Sequence, residues 1–267
     1  MRIVEIGSSP AHEIEYLDAA PGGGSQVRRL PVLRGVVEGL PAELDALLIA
    51  ADLQGRARAR DGELRLLGEA LAEDYAALAE LEQVPAPAFT GVVLAGDLFA
   101  APGADRMGAT GDVRSVWRAF AGAFRWVTGV AGNHDLFGGK QEHSRFTREA
   151  GVHLLDDESV VLDGLRIAGV GGICGNPNKP NRRAPEEFLA AVRRGLGRKP
   201  HMLVLHEGPD GDDPRLRGNS EIRAAVAASR AIVICGHVHW DRPLVTLPGG
   251  AQLLNVDARA VLLERAQ

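Results

Sequence analysis

The sequence predicts a layered α/β protein with mixed sheets, and two features of its patterning carry that expectation. Short apolar runs of strand length alternate with longer stretches of helical spacing through most of the chain. Late in the chain the period changes, and paired apolar runs flank turn sequences, the signature of hairpins.

In chain order, residues 1–6 read as an added edge strand and residues 27–40 as a segment covering an edge, with the loop Ala20-Pro21-Gly22-Gly23-Gly24-Ser25 between them. Residues 46–51 form the first buried strand. Residues 62–83 read as a long helix, with Leu64, Leu67, Leu71, Leu78 and Leu81 at helical spacing. Further buried strands follow at 92–95, 126–130, 202–205 and 232–235. Further helices are expected at 112–124, 141–150, 185–196 and 220–229. Asp163-Gly164 joins residues 160–162 to 165–170 as a hairpin, and Pro248-Gly249-Gly250 joins 244–247 to 252–256.

Composition narrows the function classes. The 267 residues are enough to bury a substantial core, and 45% hydrophobic with 24% charged residues is an ordinary globular balance. A net charge of −5 provides no general electrostatic footprint for nucleic acid or anionic membrane. No apolar run approaches the roughly 20 residues that span a bilayer. The first residues lack a signal-peptide core, and Cys174 and Cys235 make no disulfide framework, so the expected location is the cytoplasm. The oligomeric state is not encoded in any pattern of the sequence.

Function concentrates where apolar runs stop. Residues 47–51 lead into Asp52-Leu53-Gln54, and 92–95 into Gly96-Asp97. Residues 126–131 lead into Gly132-Asn133-His134-Asp135, 202–205 into His206, and 232–235 into Gly236-His237-Val238-His239. Each strand thus delivers a carboxylate, amide or imidazole to a loop at a sheet's carboxyl edge, where ligand sites of α/β folds gather. Glycine at 96, 132 and 236 lets the backbone turn sharply beside a ligand. A donor set of carboxylates, imidazoles and an amide oxygen without thiolate suits Mn²⁺, Fe²⁺, Zn²⁺ or Mg²⁺. His237 and His239 are two apart, so an extended backbone is expected to put both on one face.

This order of motifs, from Asp52 to His239, resembles the calcineurin-like metallophosphoesterase superfamily. The resemblance implies a four-layer α/β/β/α sandwich with two mixed sheets; a single domain over residues 1–267 is expected, with 1–45, which the resemblance does not explain, as an N-terminal extension packed on it. It also implies two divalent metal ions, Mn²⁺ foremost, that activate a water for phosphoester hydrolysis. Asp97 is then the carboxylate shared by both ions, Asp52, His239 and the residue at position 54 hold the first, and Asn133, His206 and His237 hold the second. His134 is the implied catalytic residue, protonating the leaving group or stabilising developing charge. Asp135 reads as structural.

The chain departs from the family pattern at Gln54, where histidine is usual. Its amide either offers the metal a weak oxygen ligand or hydrogen-bonds only a water there, so the first site is expected to be looser. The absence of an Asp-Arg-Gly sequence after Asp97 argues against a protein phosphatase. Arg56, Lys179 and Arg182 are candidate contacts to an anionic substrate, the last two in the cation- and Asn-rich loop 172–183. The expected substrate is a small phosphorylated molecule or nucleotide, hydrolysed as a monoester or diester. The alternatives are a nuclease, which would need a basic groove, and a non-catalytic scaffold of the same fold.

Overall fold

The computed structural model describes residues 1–59 and 61–266. Strands β1 (Arg2–Ile6), β2 (His12–Ala19), β3 (Ser25–Glu38), β4 (Ala46–Ala51), β5 (Arg56–Arg58) and β6 (Leu64–Leu66) precede helix α1 (Leu67–Glu80). Next come β7 (Thr90–Leu94), β8 (Gly111–Asp112), α2 (Arg114–Ala123), β9 (Trp126–Gly129), β10 (Asp135–Leu136), α3 (Lys140–Phe146) and β11 (Val152–Leu154). The second half holds β12 (Glu158–Leu162), β13 (Leu165–Val170), β14 (Ile173–Cys174), β15 (Arg182–Arg183) and α4 (Pro185–Gly197). It continues with β16 (Met202–Glu207), α5 (Ser220–Val226), β17 (Ile232–Gly236), β18 (Leu244–Thr246), β19 (Gln252–Asn255) and β20 (Arg259–Arg265).

The protein is a mixed α/β structure with two large mixed sheets. One runs β11-β9-β7-β4-β20-β3-β2-β5-β6, with β1 also on β3; the other runs β12-β13-β16-β17-β19-β18. The parallel neighbours β4, β7, β9 and β11 form the heart of the first, and β13, β16, β17 and β19 that of the second.

Alternation along the strands explains why these segments are apolar throughout. On β4, Leu48 and Ala50 face a cluster with Leu67 and Leu71 of α1 and Val116, Trp117 and Phe120 of α2. Leu47 and Ile49, on the opposite face, meet Met202, Val204, Ile232 and Ile234 of the second sheet. That sheet turns Leu203, Leu205 and Val233 toward Phe188 and Val192 of α4 and Ile222 of α5. Strands covered on both faces need apolar residues at every position.

Several expected boundaries move for local reasons. Residues 64–66 pair with β5 as a strand instead of starting the helix. The helix begins at Leu67, where the Glu69 carboxylate accepts the Leu66 N–H at 3.0 Å. Asp112 belongs to β8 and accepts the Arg114 N–H at the start of α2. Helix α5 starts where expected, with Asn219 Oδ1 accepting the Glu221 and Ile222 N–H groups, and it stops at Val226. The Asp163-Gly164 hairpin forms as expected: Leu162 pairs with Leu165, and both turn residues have positive φ (48° and 83°).

Strand β1 forms where an edge strand was expected, and the largest difference lies in the rest of the first 45 residues. They contribute β1, β2 and β3 to the ten-stranded sheet, and β3 pairs with β20, β2 and β1. Segment 27–40, expected to cover an edge, is a strand within the sheet. Strand β20, between β4 and β3, had no counterpart among the expected strands.

Candidate metal centre

Three strand ends at the centre turn where no ordinary residue is comfortable. Asp52 (φ 53°), Asp97 (φ 56°) and His237 (φ 67°) all adopt left-handed conformations directly beyond β4, β7 and β17. Such conformations cost about 1 kcal/mol or more for a non-glycine residue, and they cluster at functional sites. Gly132 lets the turns touch: a Cβ there would lie 2.0 Å from Asp97 Oδ1 and 2.1 Å from Asp97 N. Gly96 (φ 90°) is packed as closely, with its Cβ position 2.4 Å from Gly132 N. Beneath them Asp135 acts as a buried clamp. Its carboxylate accepts the N–H groups of Asp97 (2.8 Å), Gly132 (2.8 Å) and Leu98 (2.7 Å).

Within this frame, ligand atoms of Asp97, His206 and His237 all lie within 4.8 Å of one another and form a group able to hold a metal ion. Asn133 joins them, its Oδ1 3.2 Å from His206 Nε2. His206 is fully buried, and its Nδ1 faces the Ala95 carbonyl at 2.8 Å. A carbonyl only accepts, so Nδ1 donates to it and Nε2 is the nitrogen turned to the centre. Asp97 Oδ2 lies 3.3 Å from that Nε2, and Oδ1 accepts the His134 N–H at 2.8 Å.

The buried charges of the group act strongly on one another. Burial alone pushes Asp97 up, but the charge and hydrogen bond of His206 outweigh it and hold the carboxyl below the usual range. Burial likewise pushes His206 down, and Asp97 with Asp52 overcomes it, lifting the imidazole to about 10. Burial, then the nearby His206, depresses His237. Burial drives Asp52 well above the ordinary carboxylate range and, with repulsion from Asp97, raises Asp135 to about 6.

The remaining expected ligands surround the group without joining it. Asp52 Oδ2 accepts the His237 N–H at 2.9 Å. Gln54 donates from Nε2 to Asp97 Oδ2 at 3.0 Å. His239 is more than half exposed, with Nδ1 3.2 Å from Asp257 Oδ2 and Nε2 3.1 Å from Arg259 Nη2. The expectation that His237 and His239 share one face of a strand is wrong. Strand β17 stops at Gly236, His237 is left-handed, and the Val238 N–H folds back onto the Gly236 carbonyl at 2.8 Å.

His134 lies at the rim, with Nδ1 3.1 Å from the Thr110 hydroxyl. Arg56, a candidate substrate contact, instead donates to the backbone carbonyls of Ala101 (2.8 Å) and Ala100 (3.0 Å). Lys179 and Arg182 line a cleft of about 550 Å³ together with Lys140, Asn181 and Arg183. Arg182 also donates to the Pro180 carbonyl at 3.1 Å. A second cleft, about 510 Å³, is lined by Cys174, Glu207, Arg217, His237 and His239. Asn181 escaped notice in the sequence, yet its Nδ2 donates to the carbonyls of Gly132 (2.9 Å) and Asp135 (2.6 Å), tying the 172–183 loop to the centre. Asp257 and Arg259 were also missed. They follow the apolar run of β19 in the same way the other polar clusters follow theirs, a signal that was available.

No protein-family profile matches the chain. No curated protein matches it either. Among solved structures, one titled "Putative 5'-Nucleotidase from Staphylococcus aureus in complex with alpha-ketoglutarate" aligns with TM-score 0.47 and 14% identity, over 81% of this chain and 50% of its own. The chain therefore spans half the length of that protein. A protein of unknown function from Aquifex aeolicus aligns with TM-score 0.34 and 14% identity, over 81% of this chain and 95% of its own. Among the described residues no helix is long and apolar enough to cross a membrane.

Proposed function

We propose that the protein is a metal-dependent phosphoester hydrolase of calcineurin-like type, acting on a small phosphorylated molecule or nucleotide. The observation that carries this reading is the convergence of Asp97, His206 and His237 within 4.8 Å, with Asn133 Oδ1 alongside. A carboxylate, an amide oxygen and two imidazoles, with no thiolate, suit Mn²⁺ or a similar borderline divalent ion. Such an ion, when bound, supplies Lewis-acid polarisation of a phosphoryl oxygen and lowers the pKa of water.

The chain's own residues do the rest. His206, fixed by the Ala95 carbonyl, keeps Nε2 aimed at the centre, where it binds once its proton leaves. Asp135 fixes the backbone of Asp97, and Asn181 anchors the wall of the neighbouring cleft. His134, at the rim beside Thr110, is proposed to deliver a proton to a departing alkoxide. Lys179 and Arg182 are proposed to meet the anionic substrate beyond the reacting phosphate.

The same reading takes the two sheets and their flanking helices as a four-layer sandwich forming one domain, supported by the three hydrophobic clusters that lie between successive layers. It places the protein in the cytoplasm, in keeping with two free thiols, Cys174 and Cys235. The test is hydrolysis of p-nitrophenyl phosphate and bis-(p-nitrophenyl) phosphate with added Mn²⁺. Turnover of at least one ester that is lost with EDTA and falls at least ~100-fold in His206→Ala is expected. No turnover of either ester, with no metal retained, would leave a non-catalytic scaffold.

A further inference from the structure

The donors that gather at the centre form one set, while each residue of the other implied set is engaged by the protein itself. Gln54 turns its amide N–H to Asp97 Oδ2, so a donor faces the carboxylate. Asp52 commits Oδ2 to the His237 backbone N–H.

His239 is the most firmly held of the three. Asp257 Oδ2, 3.2 Å from Nδ1, is an acceptor and fixes the ring proton there, leaving the Nε2 lone pair as the only site for a ligand bond. Arg259 Nη2 lies 3.1 Å from Nε2 and 3.3 Å from Nδ1, over the face of the ring. Arg259 is 5% exposed, and its guanidinium is anchored by the Trp240 carbonyl at 2.5 Å and the Asp257 carbonyl at 3.3 Å. Its strand, β20, is locked between β4 and β3, and Arg259 pairs in register with Ala51, next to Asp52. An ion bound by His239 would sit about 2 Å from Nε2, close beside the guanidinium that covers the same ring, and would be repelled by its charge.

Building on the hydrolase reading above, we propose that the centre holds one divalent ion per chain, on Asp97, Asn133, His206 and His237. Arg259, by holding its charge against the His239 ring, and Gln54, by presenting an N–H, exclude a second ion. A buried guanidinium thus provides a permanent positive charge on the side where the family pattern implies a metal, and the protein is mononuclear by construction.

The test is stoichiometry. Metal-stripped protein is loaded with Mn²⁺, desalted, and assayed for manganese and protein by elemental analysis, with electron paramagnetic resonance on the same sample. One manganese per chain with an uncoupled Mn²⁺ signal is the expected result, and it holds whether or not the ester assays succeed. The Gln54→His/Arg259→Leu double variant is expected to take up a second ion and show an exchange-coupled signal. Two ions with a coupled signal in the unaltered protein would overturn the proposal, and that measurement decides the matter even if the double variant does not fold. A folded double variant that still binds one ion would overturn the role given to Gln54 and Arg259. No bound manganese at all would overturn the hydrolase reading itself, and this inference with it.

Discussion

Gly132→Ala is expected to disable the centre while leaving the rest of the fold standing. The new Cβ would lie 2.0 Å from Asp97 Oδ1 and 2.1 Å from Asp97 N. Non-bonded contacts need at least about 3.0–3.4 Å, so Asp97 must retreat by roughly 1 Å, and because a backbone atom is involved no rotamer change suffices. Metal–ligand distances tolerate only about ±0.2 Å, so a retreat of that size removes Asp97 from the ligand set. Activity should fall about 100-fold or more, with Mn²⁺ affinity at least ~10-fold weaker by calorimetry. Overpacking should cost about 1–3 kcal/mol of stability in EDTA, a few degrees to roughly 10 °C in melting temperature for a chain of this size. Gly122→Ala is the matched control, since its Cβ would meet nothing within 4 Å and it lies in α2. That variant should gain up to ~1 kcal/mol and keep full metal binding. Wild-type affinity and turnover in Gly132→Ala would refute the reasoning.

Three further outcomes are expected. Asp163→Asn keeps a turn-forming residue but weakens the clamp on Arg125 Nε, Arg125 Nη2 and Trp126 Nε1, each 2.7 Å from the carboxylate. Chemical denaturation should show a loss of about 1.5–3 kcal/mol. The Arg125 hydrogen bond, against the opposing effect of burial, holds Asp163 below the ordinary carboxylate range. Its contribution is therefore present above the unfolded pKa and lost as pH falls through the lower folded value, so the wild-type advantage over Asp163→Asn should vanish in acid. Asn181→Gly retains the positive φ (51°) but deletes the bonds to Gly132 and Asp135. Limited proteolysis should then cut the 172–183 loop faster, with the remaining chain still folded. Finally, His206 is raised to about 10 by its carboxylate neighbours despite burial, so it is protonated in the metal-free protein at neutral pH. Metal uptake must expel that proton, and affinity should rise with pH below about 10, up to tenfold per unit. Calorimetry in buffers of different ionisation enthalpy should count close to one proton released per ion.

The sequence made the buried parallel strands and most polar strand ends legible because both leave unambiguous patterns. A strand covered on two faces is continuously apolar, as at Leu47-Leu48-Ile49, and its end is marked by an abrupt Asp, Asn or His. The N-terminal strands were harder to see. Much of β3 is exposed in its first half, and Arg28, Arg29 and Pro31 break its pattern before the buried Leu33 and Val37. The start of α1 was obscured because Leu64 and Leu67 satisfy a helical period even though residues 64–66 pair as a strand. At the centre, residue types pointed to Asp97, Asn133, His206 and His237, but geometry separated His239 from them. The left-handed turn at His237 and the grip of Arg259, 20 residues later in the chain, are tertiary effects that spacing along a strand does not express. Arg56 illustrates the same limit: a cation near a motif reads as a substrate contact until two backbone carbonyls claim it.

The central claim, that these strand ends build a metal centre, is tested most directly by anomalous diffraction from crystals of the manganese-loaded protein. The account predicts one strong peak per chain, bonded to Asp97, Asn133 Oδ1, His206 Nε2 and His237, with His239 still turned to Arg259 and Asp257. No peak among these residues, with manganese elsewhere or nowhere, would contradict it.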